Sequence, residues 1–215
     1  MKRAGLTFIF LCAGLGVFAQ SGVILEASGV VEIKSPGDEN FVAAKTGDQF
    51  EQDTTISTGF RSFATIEIGS ALISLKPLTR LTLTGAEASF DTETLEMDLQ
   101  TGRVRVDIIP PEETEVFMSV MSSMAVISAG GTGFEFDTRN LYVDDGVVGF
   151  KGKRGQLIQV GAGANSRVKA NAGALSPLEM RAKRLFPPTP AGTNVIGGSL
   201  RLGIPFTIDL VFFHE

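Results

Sequence analysis

Alternation is the feature that most limits what this chain can become. In Ala64-Thr65-Ile66-Glu67-Ile68 the even positions are apolar and the odd ones polar. Ile73, Leu75, Leu81 and Leu83 resume the pattern on odd positions after a break at Gly69-Ser70, and Leu95-Glu96-Met97-Asp98-Leu99 alternates again. Gln100-Thr101-Gly102 reads as a turn, and Arg103-Val104-Arg105-Val106-Asp107-Ile108 alternates beyond it. Val116 to Val120, Phe134-Glu135-Phe136, Leu141-Tyr142-Val143 and Gly146 to Phe150 follow the same rule. Successive side chains of a strand point to opposite faces, so a period of two means strands buried on one side only. Their close spacing, punctuated by Gly, Asp and Asn, predicts an all-β fold of many short strands: a sandwich, barrel or β-roll.

One segment departs from this rhythm. Ser176-Pro177-Leu178-Glu179 sets a capping Ser before a Pro at the first helical position, predicting a short helix near 176–185. Leu178, Ala182 and Leu185 share one face, and Arg181, Lys183 and Arg184 sit near the C-terminal end of the helix, where its dipole favours cations. Pro187-Pro188-Thr189-Pro190 should end it and serve as a stiff connector. Alternation then returns in Leu200, Leu202, Ile204, Phe206, Ile208, Leu210 and Phe212, which predicts C-terminal amphipathic strands over 191–215, with fold-back on the body as the default and strand donation to a partner or contact with an outer membrane as the alternatives.

The beginning of the chain reads differently. Lys2 and Arg3 precede the apolar stretch from Ala4 to Phe18, and Val17-Phe18-Ala19 fits a small-residue cleavage site, so a signal peptide over 1–19 should be cut between Ala19 and Gln20. The stretch is shorter than the roughly 20 residues of a membrane-spanning helix. The expected protein is therefore periplasmic or secreted, with no transmembrane span in its mature chain. Its sole cysteine, Cys12, would leave with the leader, so stability must come from a hydrophobic core. Loss of Lys2 and Arg3 leaves 17 basic against 24 acidic side chains, a net of −7. That balance argues against nucleic acid, whose binders need a basic face.

Five stretches in order resemble the FecR domain family. Thr46-Gly47-Asp48-Gln49-Phe50 with Thr55-Ile56-Ser57-Thr58-Gly59-Phe60-Arg61-Ser62 is similar to the family's opening "G-D-x-hydrophobic … I-x-T-G-x-x-S". Ala64 to Leu83 resembles its paired strands, and Leu95 to Val106, containing Gly102, resembles "L-x-L-x-x-G-x-V-x-V". Gly131-Thr132-Gly133-Phe134 resembles "R-G-T-x-F", with Gly130 in place of the usual Arg, and Val143 to Val148, containing Gly146, resembles "V-x-x-G-x-V". The resemblance spans Gly29 to about Asn171 and implies an extracytoplasmic solenoid-like or roll-like stack over 20–175, followed by the helix and connector of 176–190. It implies a sensing or interaction module without catalysis, with an envelope protein or a cell-wall component as partner. Founding members are anti-sigma regulators with a cytoplasmic helical domain before a transmembrane segment. Only three residues precede the apolar stretch here, so the expectation is a domain lacking that signalling half.

No set of residues assembles a catalytic or metal centre on paper. His214 is the sole histidine and lies beside the C-terminus, where order is usually poor. One His and no mature Cys cannot make the usual zinc sets. Gly130-Gly131-Thr132-Gly133 and Gly161-Ala162-Gly163-Ala164 lack a P-loop Lys and do not open a helix, so they read as turns and bulges. Acidic clusters at Asp48/Glu51/Asp53, Glu112/Glu113/Glu115 and Asp144/Asp145 keep a carboxylate-based wall-glycan hydrolase as a rival reading, although Asp145-Gly146 reads as a hairpin turn. A sensor with an uncleaved N-terminal anchor is the other rival. Neither a cofactor nor a catalytic residue is expected.

Overall fold

A computed structural model describes residues 18–169 and 173–185. The strands in chain order are β1 (Phe18–Ala19), β2 (Gly22–Ser28), β3 (Val31–Lys34), β4 (Val42–Ala43), β5 (Gln49–Phe50) and β6 (Thr55–Thr58). They continue with β7 (Phe63–Ile68), β8 (Ala71–Leu75), β9 (Arg80–Ala88), β10 (Thr92–Thr101), β11 (Val104–Ile108) and β12 (Glu115–Ser122). The last six are β13 (Ala125–Ala129), β14 (Gly133–Phe136), β15 (Asn140–Asp145), β16 (Val147–Gly152), β17 (Ile158–Gly161) and β18 (Asn165–Arg167), before helix α1 (Pro177–Leu185). The fold is all-β apart from that helix.

Two open sheets carry these strands. One has ten strands in the order β17-β16-β13-β12-β10-β9-β6-β3-β4, with β1 also paired to β9; the other has eight, in the order β18-β15-β14-β11-β8-β7-β2-β5. The chain shuttles between them. It completes β7 and β8 in the eight-stranded sheet, β9 and β10 in the ten-stranded sheet, returns for β11, and crosses again for β12 and β13. Because β11 intervenes, β10 and β12 lie side by side and parallel, with Leu95 beside Met118. The other strand pairs are antiparallel. This back-and-forth winding in two open sheets fits the roll-like stack that the resemblance implies and is not the closed barrel that the spacing also allowed.

Parity explains the core. In β7 Ala64, Ile66 and Ile68 are buried; in β8 Ala71, Ile73 and Leu75; in β10 Leu95, Met97 and Leu99; in β11 Val104, Val106 and Ile108. Each inward set meets its counterpart from the other sheet in one continuous core, capped toward β16 by Phe136 and Phe150, whose rings stand edge to face at 6.2 Å. A fully buried side chain of this size contributes about 1.5–3 kcal/mol, so these inner faces drive the assembly.

Apart from the turns between β3 and β6, which bond to Ile24 and Leu83 partway along β2 and β9, the turns among the described residues fall at two ends. At one, which we call the Gly59 end, lie 29–30, 59–62, 76–79, 102–103, 123–124, 137–139 and 153–157; hydrogen bonds run from Gly59 N–H to Val30 O (2.8 Å), Leu78 N–H to Gly59 O (3.2 Å) and Lys76 N–H to Arg103 O (3.0 Å). At the other, the Ser70 end, Ile109 N–H reaches Ser70 O (3.1 Å) and Glu115 N–H reaches Asp91 O (2.8 Å).

Helix α1 starts as its sequence predicts. Glu179 N–H donates to Ser176 Oγ (3.2 Å), and Ser176 N–H donates to Glu179 Oε2 (2.7 Å), a reciprocal capping box. One expectation is corrected. Asp145-Gly146 is no hairpin turn, because β15 and β16 belong to different sheets, and Gly146 is the single residue on which the chain changes sheet. Its φ of 75° makes that abrupt corner possible. Residues 1–17 of the expected leader, the connector at 187–190, the alternating tail and His214 lie outside the described residues.

Candidate functional site

The residues that alternate with the core on β11, β14, β15 and β18 form a polar outer face. Register places Arg105 opposite Glu135, Glu135 opposite Tyr142, and Tyr142 opposite Asn165. A groove of about 540 Å³ crosses these strands, lined by Arg103, Glu135, Asp137, Tyr142, Asn165 and Arg167, and Met180 of α1 forms one wall. A second recess of about 530 Å³ shares Arg103 and Asp137 with it and reaches Lys76 and Pro77.

Its charged groups are held in place. Arg103 Nη1 donates to Glu135 Oε1 at 3.0 Å, and its Nη2 lies 3.8 Å from Asp137 Oδ2. Asp137 is fixed in turn by the N–H groups of Asn140 (2.8 Å) and Arg139 (3.3 Å) and by the Asn140 amide. Arg167 Nε donates to Asn140 Oδ1. The outcome is a relay of donors and acceptors from β11 to β18 with the half-exposed Tyr142 ring among them. Such a surface can orient a polar ligand by hydrogen bonds and stack one flat face on the ring.

Beside the groove Arg105 binds Asp107 at 3.1 and 3.2 Å and Asp144 at 2.7 Å. The hydrogen bond that Arg105 donates to Asp107, opposed by desolvation and aided by the charges of Asp107 and Asp144, holds the Arg105 guanidinium above its usual pKa. Among the described residues no cluster of His, Cys, Asp and Glu is placed to hold a metal.

The residues that carry the sequence resemblance are placed elsewhere, at corners. Ser62 Oγ accepts Val30 N–H (2.8 Å); Thr58 Oγ1 donates to Lys76 O (2.7 Å) and accepts Thr79 N–H (3.0 Å). Gly59 packs against Val30, and Gly102 leaves room for Thr79, whose hydroxyl bridges the N–H and C=O of Arg103, each at 3.0 Å. At the opposite end Gly131 (φ 62°), Thr132 and Gly146 meet beside the wholly buried Phe134. Gly47 and Asp48 make a turn in which Asp48 Oδ2 accepts Lys45 N–H (2.7 Å). Ala19 pairs with Glu87, and Gln20 N–H donates to Ala86 O (2.9 Å). None of these residues lines the groove except Gly102, which borders the recess near Lys76. The acidic clusters stay dispersed: Asp144 joins Arg105, whereas Glu112 and Glu113 are exposed in a turn. Sequence reasoning did not single out Arg103, Tyr142 and Arg167. The available signal was their outward parity on strands whose inward residues were already recognised.

Two solved structures, each of a candidate anti-sigma factor from Parabacteroides distasonis, are similar to this chain. One has a TM-score of 0.46 and 15% identity over 56% of this chain and 57% of that one. The other has a TM-score of 0.45 and 14% identity over 60% and 63%. The match thus spans less than two thirds of those proteins' own length. No family model and no curated protein matches the chain. The fold described above rests on this chain's own strands and not on that likeness.

Proposed function

We propose that the protein is an exported, non-catalytic binding module of the cell envelope, of the kind its FecR-like sequence pattern implies, and that it holds a polar envelope component in the groove between Arg103 and Arg167. One observation carries the reading. The groove's carboxylates are engaged by Arg103 and by backbone N–H groups, an arrangement that orients a ligand, while among the described residues no nucleophile there is hydrogen-bonded to a base. Soluble cell-wall fragments are the first ligand to test, since glycan hydroxyls and peptide amides match the mixed donors and acceptors of the lining.

The chain supplies its own reporter. Tyr142 is the sole tyrosine, and there is no tryptophan. Titration with muropeptides from digested peptidoglycan is expected to change its emission saturably, with the change weakened at least tenfold in affinity by Arg167→Ala. The fragments should be recovered unaltered in mass. Tyr142 emission indifferent to wall fragments would remove them as the ligand, and cleaved fragments would replace binding with hydrolysis.

A further inference from the structure

Charge is sorted between the two ends of the roll. Turns at the Gly59 end contain Arg61, Lys76, Arg103, Arg139, Lys153 and Arg154, against Asp137. Turns at the Ser70 end contain Asp91, Glu112 and Glu113 and neither Lys nor Arg, while the turn with Glu51 and Asp53 opens the same way but sits beside Leu83, midway along β9. Strand ends at the Ser70 end add Glu87, Glu115, Asp144 and Asp145. Lys34 and Glu32, on the short strand β3 between β6 and β4, stand apart from this division. The ion pairs among the described residues involve only Arg103 and Arg105 as cations, so most of this charge is not neutralised by carboxylates within the fold.

Apolar side chains are exposed at both ends. Val30 is 59% exposed, Phe60 71% and Leu78 57%, on three turns that hydrogen bond to one another at the Gly59 end. Arg61 and Leu78 hold left-handed backbone, with φ of 53° and 61°. At the Ser70 end Phe90 (92%) adjoins Asp91, and Ile109 (78%) begins the turn that contains Glu112 and Glu113. Each end is therefore an apolar tip ringed by charge of a single dominant sign, and the signs are opposite.

Strand β10 has ten residues, which at ~3.3 Å per residue puts the ends about 30 Å apart. The Debye length at physiological salt is only about 8 Å, so the two ends cannot neutralise each other within one molecule. A second molecule can bring them together. We propose that the Gly59 end of one copy docks on the Ser70 end of the next, in a head-to-tail contact that joins Val30, Phe60 and Leu78 to Phe90 and Ile109 within a ring of opposed charges. The occupant is a second copy because the complementary surface, in charge and in apolar content, is present on the chain itself. Such a contact is heterologous and propagates as an open chain unless it closes into a ring. It rests on the distribution of turns, and it shares Arg103 and Asp137 with the groove.

Light scattering on the protein as exported by its host tests this at ~20 mM and ~500 mM salt, where the Debye length is roughly 20 Å and 4 Å. At low salt the mean molar mass is expected to rise at least twofold with protein concentration, and at high salt to return to the monomer. Reversing one end, as in Lys76→Glu/Arg154→Glu, should leave a monomer at low salt, and so should Glu112→Lys/Glu113→Lys. All four side chains are exposed, and circular dichroism checks that both variants fold. Mixing the two variants should restore association, because each now offers what the other lacks. A wild-type protein that stays monomeric at low salt overturns the proposal, as does a doubly reversed end that associates normally. A monomer that instead sediments with phosphatidylglycerol vesicles, and loses this in Lys76→Glu/Arg154→Glu, would make the Gly59 end a lipid-binding surface and overturn the second-copy contact.

Discussion

The Cβ that Gly146 lacks would stand 2.5 Å from Cγ2 of Thr132. The two residues meet where the chain changes sheet, between β15 and β16, and Thr132 is buried there just before β14. Gly146 also holds a φ of 75°, which a side chain would strain. Gly146→Ala is therefore expected to lose about 2–4 kcal/mol, the combined cost of left-handed backbone and overpacking. Chemical denaturation with an unchanged slope and a lower midpoint is the expected result. An unchanged midpoint would show that the corner can open freely.

The partner in this contact makes the opposite prediction. Thr132 Oγ1 is buried without a hydrogen-bond partner among the described residues. Replacing it with a methyl group removes a desolvated hydroxyl and keeps the shape. Thr132→Val should raise stability by about 1 kcal/mol, where Thr→Val at the bonded Thr79 should lower it by about 1–3 kcal/mol. Equal losses at both positions would mean that Thr132 has an acceptor.

Glu93 is a carboxylate only 4% exposed, and both of its oxygens accept the Ser70 N–H, at 3.0 and 3.2 Å. It ties the β9–β10 hairpin to the β7–β8 hairpin of the other sheet. Glu93→Gln keeps an acceptor and should be tolerated, whereas Glu93→Ala leaves the amide unpaired and should cost about 1–3 kcal/mol. Hydrogen exchange at Ser70 reads the difference directly: the alanine variant should exchange faster there.

Arg105 is expected to matter less than its three contacts with carboxylates suggest. Its side chain is 38% exposed, and screened surface pairs contribute about 0–1 kcal/mol, so Arg105→Ala should cost less than about 1 kcal/mol. The sign of its pH dependence follows from the raised pKa. A cation whose pKa is higher in the folded state contributes fully below its unfolded value, which is far above neutrality for Arg, and loses that contribution as pH rises through the folded one. Titration of Arg105 therefore adds no slope to stability between pH ~6 and ~9. A difference between wild type and variant that drifts across this window would point to another titrating partner.

The expected leader has a direct test. Material exported by the native host should have the intact mass of a chain beginning at Gln20. A mass that includes residues 1–19 would instead favour an anchored sensor.

The sequence alone determined which side chains go inside. Ile66, Ile73, Leu95 and Val106 are buried as their parity requires, because the pleat turns successive residues to opposite faces whatever the strand pairs with. It also determined the helix start, since the capping box of Ser176 and Glu179 closes within four consecutive residues. Tertiary structure alone decided which sheet each strand enters. Asp145-Gly146 has the composition of a hairpin turn, yet β15 and β16 part at Gly146, because partners for both strands are already built by β14 and β13. The groove belongs to the same category: Arg103 meets Glu135 and Asp137 across more than thirty residues of chain, a proximity made by the β11–β14 register. The sorting of charge between the ends arises the same way. Acidic turns such as 109–114 and basic turns such as 76–79 are interspersed along the chain, and the back-and-forth winding gathers every second turn at one end.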